Sequence, residues 1–270
     1  MPEGDILRRT AATLDRAFTG QVLLRADLRW PTAAEVDLVG RTVLGTVSYG
    51  KHLLTRFDDA RTLHTHLRME GSWALARTGS RAARGLGAHI RVVLSSSTWT
   101  GIGNRIGMLD VVRTSDEHLL IGHLGPDLLA PDFAEAGLPE ALARLGRSGG
   151  SPIAEVLLDQ RVVAGIGTIY AAESMFARRL WPWTPASEVT DPGALLLTAR
   201  ALMARSVASR VPTATGEGGR GLSSAVHGRH LLPCRRCGTP IAVGRAGAPP
   251  QDRPIFYCPA CQLNSEASAR

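Results

Sequence analysis

All four cysteines of this chain lie near its C-terminal end, as Cys234-Arg235-Arg236-Cys237 and Cys258-Pro259-Ala260-Cys261, with twenty residues between the pairs. No other feature constrains the fold as strongly. Two C-x-x-C pairs at this separation match a four-thiolate zinc ribbon, in which each pair sits on a tight turn and supplies two corners of a tetrahedron. Two disulfides or a redox pair are the competing readings. The opening Met1-Pro2-Glu3-Gly4-Asp5 has neither a basic nor an apolar leader segment, so no secretory signal is expected and structural disulfides are disfavoured. A closed shell of four thiolates leaves no open coordination position, so one structural Zn2+ is expected and the chemistry must lie elsewhere.

Charge points to a polyanionic partner or simply to a basic surface. The formal net charge is +7, and from Arg205 to Gln262 eight arginines face only Glu217 and Asp252. A metal-stapled hairpin with that surplus suits phosphate better than a small apolar ligand. No apolar run is long enough to cross a bilayer, so no membrane role and a cytoplasmic location are expected. Of 31 basic residues only Lys51 is lysine. In so arginine-biased a chain it marks a position where a compact amine is needed, because an amine can lose its proton when desolvated and a guanidinium cannot.

Taken in order, Ile6 to Phe18 carries a helical stripe (Leu7, Ala11, Leu14, Phe18), with Gly20 as its stop. A helix so close to the start holds the N-terminus in place. Once the initiator methionine is removed, Pro2 presents a secondary amine that can attack an electrophilic carbon, and Glu3 beside it can move protons. Short β-type runs follow at Val22–Leu28, Val43–Tyr49, His52–Phe57, Thr62–Leu67, His89–Leu94 and Leu109–Val112, which predicts an antiparallel sandwich. Lys51 falls in the turn between two of them. His64 and His66, at alternate positions, are read as strand-face or phosphate-facing histidines and not as metal ligands. Residues 77–87 read as a loop and 131–150 as a linker. Beyond it, Ser151 is expected to cap a helix whose first position is Pro152. A second helix is expected from Thr168 to about Arg178, with its N-terminus and the Thr168 hydroxyl forming either a phosphate site or a packing turn, and a third over Leu195–Val207.

These pieces, in this order, resemble the bacterial formamidopyrimidine-DNA glycosylase/endonuclease VIII family over essentially the whole chain. The resemblance rests on Pro2-Glu3-Gly4, on Gly50-Lys51-His52-Leu53, and on His123-Leu124-Gly125-Pro126-Asp127-Leu128-Leu129. It extends to Leu158-Asp159-Gln160 through Gly165-Ile166-Gly167-Thr168-Ile169-Tyr170, and to His227-Gly228-Arg229 with the four cysteines and Gln262. It implies an α+β chain: an N-terminal antiparallel β-sandwich domain with a leading helix (1–130), a linker (131–150), and a helical helix–two-turns–helix domain (151–270) ending in a zinc-finger β-hairpin (about 227–262). It also implies a monomeric, bifunctional DNA glycosylase/AP lyase of base excision repair acting on damaged DNA. Pro2 would form the Schiff base, Glu3 would transfer protons, and Lys51 would grip phosphate and support β,δ-elimination. Met69, Arg105, Thr168 and Arg253 would contact DNA, with Met69 as the wedge that fills the space of an extruded nucleotide. Two departures stand out. Thr168 replaces the usual asparagine after Gly-Ile-Gly. The Arg-Arg-Phe-Gly wedge of the oxidised-purine enzymes is here Asn104-Arg105-Ile106-Gly107. These place the chain on the endonuclease VIII side, of the actinobacterial type, and favour oxidised pyrimidines. The alternatives are an oxidised-purine glycosylase and a catalytically weak DNA-binding paralogue.

Overall fold

The structure, a computed structural model, describes residues 2–217 and 222–263; Met1 and Arg220 lie outside the described residues. The chain is α+β and divides into two compact units, one comprising Pro2 and residues 6–123, the other residues 3–5 and 124 onwards.

The first unit is built from helix α1 (Gly4–Phe18, of which residues 6–18 belong here) and eight strands. The strands are β1 (Arg25–Leu28), β2 (Val43–Tyr49), β3 (His52–Phe57), β4 (Arg61–His66), β5 (Ser72–Arg77), β6 (Ile90–Ser95), β7 (Trp99–Asn104) and β8 (Met108–Arg113). They form two antiparallel four-stranded sheets, ordered β1-β6-β7-β5 and β2-β3-β4-β8. A short helix α2 (Glu117–Ile121) follows. Leu7, Leu14 and Phe18 of α1 share one core with Val92 and Leu94 of one sheet and Leu53, Phe57, Leu63 and Leu109 of the other. The expected leading helix and sandwich are therefore present.

Two of these strands, β5 and β7, were not expected. Gly101 reads as a turn residue in sequence, yet it lies inside β7, paired to both β6 and β5. The glycines there serve close packing: a Cβ on Gly103 would sit 2.2 Å from Val92 Cγ1, and one on Gly101 would sit 3.1 Å from the Phe18 ring.

The second unit is helical: α3 (Leu138–Gly146), α4 (Ile153–Leu158), α5 (Thr168–Ala177) and α6 (Pro192–Ala208), followed by the hairpin β9 (Ala242–Ala246) and β10 (Arg253–Tyr257). Residues 131–150 are no open linker. Phe133, Ala141 and Leu145 are buried in this unit's core, because the apolar spacing through 133–145 is helical despite the flanking Pro131 and Gly149-Gly150. Ser151 is not a cap either; α4 starts after Pro152 without a side-chain cap. Asp191 does cap α6, accepting from the Ala194 N–H at 2.8 Å. A third cluster packs Ala172 and Phe176 of α5 against Val226, Ile241 and the buried Cys234 and Cys258. Among the described residues no helix is long and apolar enough to cross a membrane.

Candidate active site and metal centre

Glu3 is 2% exposed, and its carboxylate meets the N-terminus of α5. It accepts the backbone N–H groups of Gly167 at 2.8 Å, Ile169 at 2.7 Å and Tyr170 at 3.3 Å. A helix begins with N–H groups that have no intrahelical partner and carries a partial positive charge there, so an acidic side chain fits both needs. Space for it exists because residue 167 is glycine. A Cβ on Gly167 would lie 2.5 Å from Glu3 Cδ, although its φ of −131° is open to any residue. The neighbouring Gly165 has φ +107°, a conformation that L side chains rarely adopt, and its carbonyl accepts the Gly4 N–H at 2.9 Å. Gln160 locks the same turn, its amide donating to Ile166 O at 2.9 Å and accepting from the Gly165 N–H at 3.0 Å.

This arrangement bears on one expectation. Sequence allows a phosphate site or a packing turn at the N-terminus of α5, and its N–H groups at 167, 169 and 170 are taken by the protein's own carboxylate. The Thr168 hydroxyl lies 3.5 Å from His227 Nε2, and His227 is held neutral by burial. Tyr170 ties a second acid to this region. Its hydroxyl donates to Asp5 Oδ2 at 2.6 Å, as does that of Ser206, and burial together with the Asp5 charge pushes the phenol's pKa up, keeping it a donor. The buried Glu173 accepts the N–H groups of Ala225, Val226 and His227, each at 2.9 Å, and so anchors that segment to α5.

Pro2, immediately before Glu3, is half-buried. In the first unit, Lys51 is 7% exposed in the two-residue turn between β2 and β3. Gly50 supplies that turn's positive φ of 54°. Met69 is 67% exposed at the tip of a loop closed by the Gly71 N–H donating to Leu67 O at 2.9 Å, so it is no core residue. Arg105 reaches the same loop through Glu70. Ile106, at the wedge position of the purine enzymes, is 2% exposed in the core and cannot stack on a base.

The four cysteine sulfurs lie within 4.8 Å of one another, with Cys234 to Cys261 at 3.9 Å and Cys237 to Cys258 at 3.5 Å. Metal–sulfur bonds of roughly 2.3 Å in a tetrahedron require sulfur–sulfur edges of roughly 3.8 Å, so the donor set fits one metal ion. Gln262 buttresses the cluster, accepting the Cys258 N–H at 2.9 Å and donating to Leu180 O at 2.8 Å. Much of the arginine surplus counted from sequence is structural. Arg236 stacks 4.2 Å over the Phe176 ring, Arg229 bonds Ala225 O and Pro233 O, and Arg245 pairs with Asp252. Arg253 stands exposed at the start of β10 and donates to the neighbouring Gln251 and Asp252 carbonyls.

Comparison with known proteins agrees with this architecture. Residues 1–124 match the formamidopyrimidine-DNA glycosylase N-terminal domain, and residues 124–215 its H2TH domain. The chain is 43% identical over 264 residues to the probable endonuclease 8 2 of Streptomyces coelicolor, covering 97% of this chain and 94% of the relative. It is 38% identical over 265 residues to the DNA-(apurinic or apyrimidinic site) lyase Nei2 of Mycolicibacterium smegmatis, covering 98% and 100%. The fold matches Lactococcus lactis formamidopyrimidine-DNA glycosylase in complex with abasic-site DNA, with a TM-score of 0.80 at 22% identity, covering 97% of this chain and 100% of that one. With this fold, this cysteine cluster and these relatives, the chain belongs to the formamidopyrimidine-DNA glycosylase/endonuclease 8 family.

Proposed function

We propose that this chain is a bifunctional DNA glycosylase and AP lyase of base excision repair that prefers oxidised pyrimidines. The observation that carries the reading is the Glu3 carboxylate, fixed by three backbone N–H groups one residue after Pro2. A chain that only bound DNA could cap that helix with any acceptor and would not need the acid directly after a proline amine. The free amine of Pro2 attacks C1′ of the damaged nucleotide; the N–C1′ bond forms, the glycosidic bond breaks, and the base leaves with a proton. Glu3 moves protons in base loss and ring opening, which yields the iminium ion. Loss of the C2′ proton then expels the 3′ phosphate, and δ-elimination expels the 5′ phosphate.

Lys51 grips a phosphate beside the lesion. Met69, exposed at its loop tip, fills the vacated stack, and Arg105 supports that loop. Arg253 contacts phosphate, and Thr168 does so through its hydroxyl alone, because Glu3 takes the N–H groups of Gly167, Ile169 and Tyr170. One Zn2+, held by Cys234, Cys237, Cys258 and Cys261, supplies no chemistry, because four thiolates close its coordination shell.

The test is borohydride trapping on duplexes that each carry one defined lesion, with Pro2 either free or preceded by an extra residue. An extra residue turns the amine into an amide whose lone pair is delocalised. Free Pro2 should give a covalent adduct, most with oxidised pyrimidines, and the blocked protein none. Excision and cleavage by the blocked protein at the wild-type rate would remove Pro2 from the mechanism, and stronger trapping on oxidised purines would overturn the substrate class.

A further inference from the structure

Asp5 is 3% exposed, nearly as buried as Glu3 two residues before it. It lies in the first turn of α1, and residues 3–5 belong to the second unit together with α5 and α6. Two hydroxyls converge on one of its oxygens. Tyr170 of α5 and Ser206 of α6 both donate to Asp5 Oδ2 at 2.6 Å. Ser206 Oγ in turn accepts the Thr213 N–H at 3.2 Å, so the chain beyond α6 is tied to the same knot. Burying a carboxylate is costly unless donors and a favourable field surround it. Here the two hydroxyls and the N-terminal end of α1 supply them.

The two acids meet at Tyr170. Its main-chain N–H donates to Glu3 Oε2 at 3.3 Å, while its phenol holds Asp5. Between the acids, the Gly4 N–H donates to Gly165 O at 2.9 Å. Three successive residues are thus fastened to α5 and the turn before it, the outer two by side chains and the middle one by its main chain. Gly4 has no room for a side chain of its own, because a Cβ there would lie 2.8 Å from Met203 Cε and 3.1 Å from Gly165 Cα. Chain ends fray unless something ties them down. With glycine at position 4, the first side chain after Glu3 that can hold the start of the chain is that of Asp5.

We propose that Asp5 is a positioning residue for base excision: by holding the Tyr170 and Ser206 hydroxyls, it keeps residues 3–5 seated, so that the Glu3 carboxylate stays at the start of α5 in the geometry that proton transfer requires. Asp5 acts through Glu3 and touches no substrate. The inference rests on reading Glu3 as the group that moves protons in base loss and ring opening. That reading makes two reactions respond differently. At a preformed abasic site the base has already gone and the sugar interconverts with its open aldehyde, so strand cleavage there draws less on Glu3.

The test compares Asp5→Ala with Asp5→Asn in the full chain. The asparagine oxygen can stand where Oδ2 stood and accept from both hydroxyls, whereas alanine leaves them without that acceptor. Single-turnover assays read base release from a duplex carrying an oxidised pyrimidine, and strand cleavage of the same duplex carrying a preformed abasic site. Asp5→Ala should slow base release by about tenfold, within what a small misplacement of a reacting group costs. Abasic-site cleavage and affinity for undamaged duplex should stay close to wild type, and Asp5→Asn should recover most of the rate. Hydrogen exchange reads the seating directly: the Gly4, Gly167 and Ile169 amides should lose protection in Asp5→Ala and keep it in Asp5→Asn. Wild-type base release in Asp5→Ala overturns the role. So does an equal loss of both reactions with a lower Tm, which would mean that Asp5 only holds the fold. An Asp5→Asn variant as slow as Asp5→Ala would overturn it too, because charge and not position would then act. If Asp5→Ala does not fold, Tyr170→Phe decides, with slowed base release at unchanged abasic-site cleavage supporting the role and wild-type base release overturning it. Glu3→Gln separates the layers: wild-type base release there overturns the reading of Glu3, whereas loss there with none in Asp5→Ala overturns Asp5 alone.

Discussion

At the scale of single residues, the candidate site depends on one glycine as much as on the acid it admits. Gly167→Ala leaves φ and ψ allowed, but its methyl group would occupy the place of the Glu3 carboxyl, which lies 2.5–2.6 Å from the added carbon. Glu3 must then withdraw, and three N–H groups at the start of α5 lose their acceptor. Excision should fall on the order of a hundredfold, the scale of a lost proton-transfer group, while affinity for undamaged duplex stays close to wild type. Single-turnover base release measures it, with Glu3→Gln as the reference; wild-type excision by Gly167→Ala would show that the docked carboxylate is not needed. Residues of this kind differ in how well sequence reveals them. The clustering of the four cysteines is legible because ligand spacing is written into the sequence, whereas the role proposed for Lys51 starts from its being the single lysine among arginines. The role of Gly167 was not legible, since it exists only where residue 3 meets residue 167. Glu173 and Gln160 likewise act through main-chain groups distant in sequence, or through a turn whose shape had to be seen first.

At the scale of elements, most helices and β2 to β4 could be read from periodicity, and the errors share one cause. Glycine marks a turn in a lone sequence, but in β7 it makes room for Phe18 and Val92, and in 131–150 glycine and proline flanked a helix that core packing holds. Tertiary contacts decided both cases. The polar face of the β2-β3-β4-β8 sheet carries a consequence for pH. His52 and His66 have folded-state pKa values of about 3 and about 4, below the ordinary 6.5 that applies once the chain unfolds. The unfolded chain therefore takes up these protons first, so stability is fully present above pH 6.5 and declines as pH falls through the interval down to the folded values. The slope is at most roughly 1.4 kcal/mol per pH unit for each ring. Carboxylates paired with arginine, such as Asp27 and Asp59, are held below their ordinary values and lose their contribution only at lower pH. Between pH 6.5 and 5 the histidines should thus dominate. Calorimetry of the first unit's transition should show Tm falling across that window, and His66→Gln should flatten the fall. A Tm independent of pH there would mean that these rings titrate normally.

At the scale of the whole molecule, each unit has its own core, so loss of the metal should be a local event. The cysteine cluster is continuous with Phe176, Val226 and Ile241, and it is tied to the end of α5 by Gln262 on Leu180 O and by Arg236 on Phe176 O. Among the described residues its members all belong to the second unit. Structural zinc in such a shell contributes on the order of ten kcal/mol of apparent binding free energy, which is also local folding energy. Without it, thiolates that need a dication between them repel one another, and the hairpin carrying Arg253 is left to its strand pairing and the core packing of Ala246 and Ile255. Cys237→Ser should therefore lose stoichiometric zinc, measured by atomic emission, and most affinity for both damaged and undamaged duplex. The first unit's calorimetric transition should remain where it was, because Leu7, Phe57 and Leu109 pack without reference to the metal. Full DNA affinity in a zinc-free variant would mean that the hairpin does not carry the phosphate contacts. Loss of both transitions together would mean that the two cores fold as one.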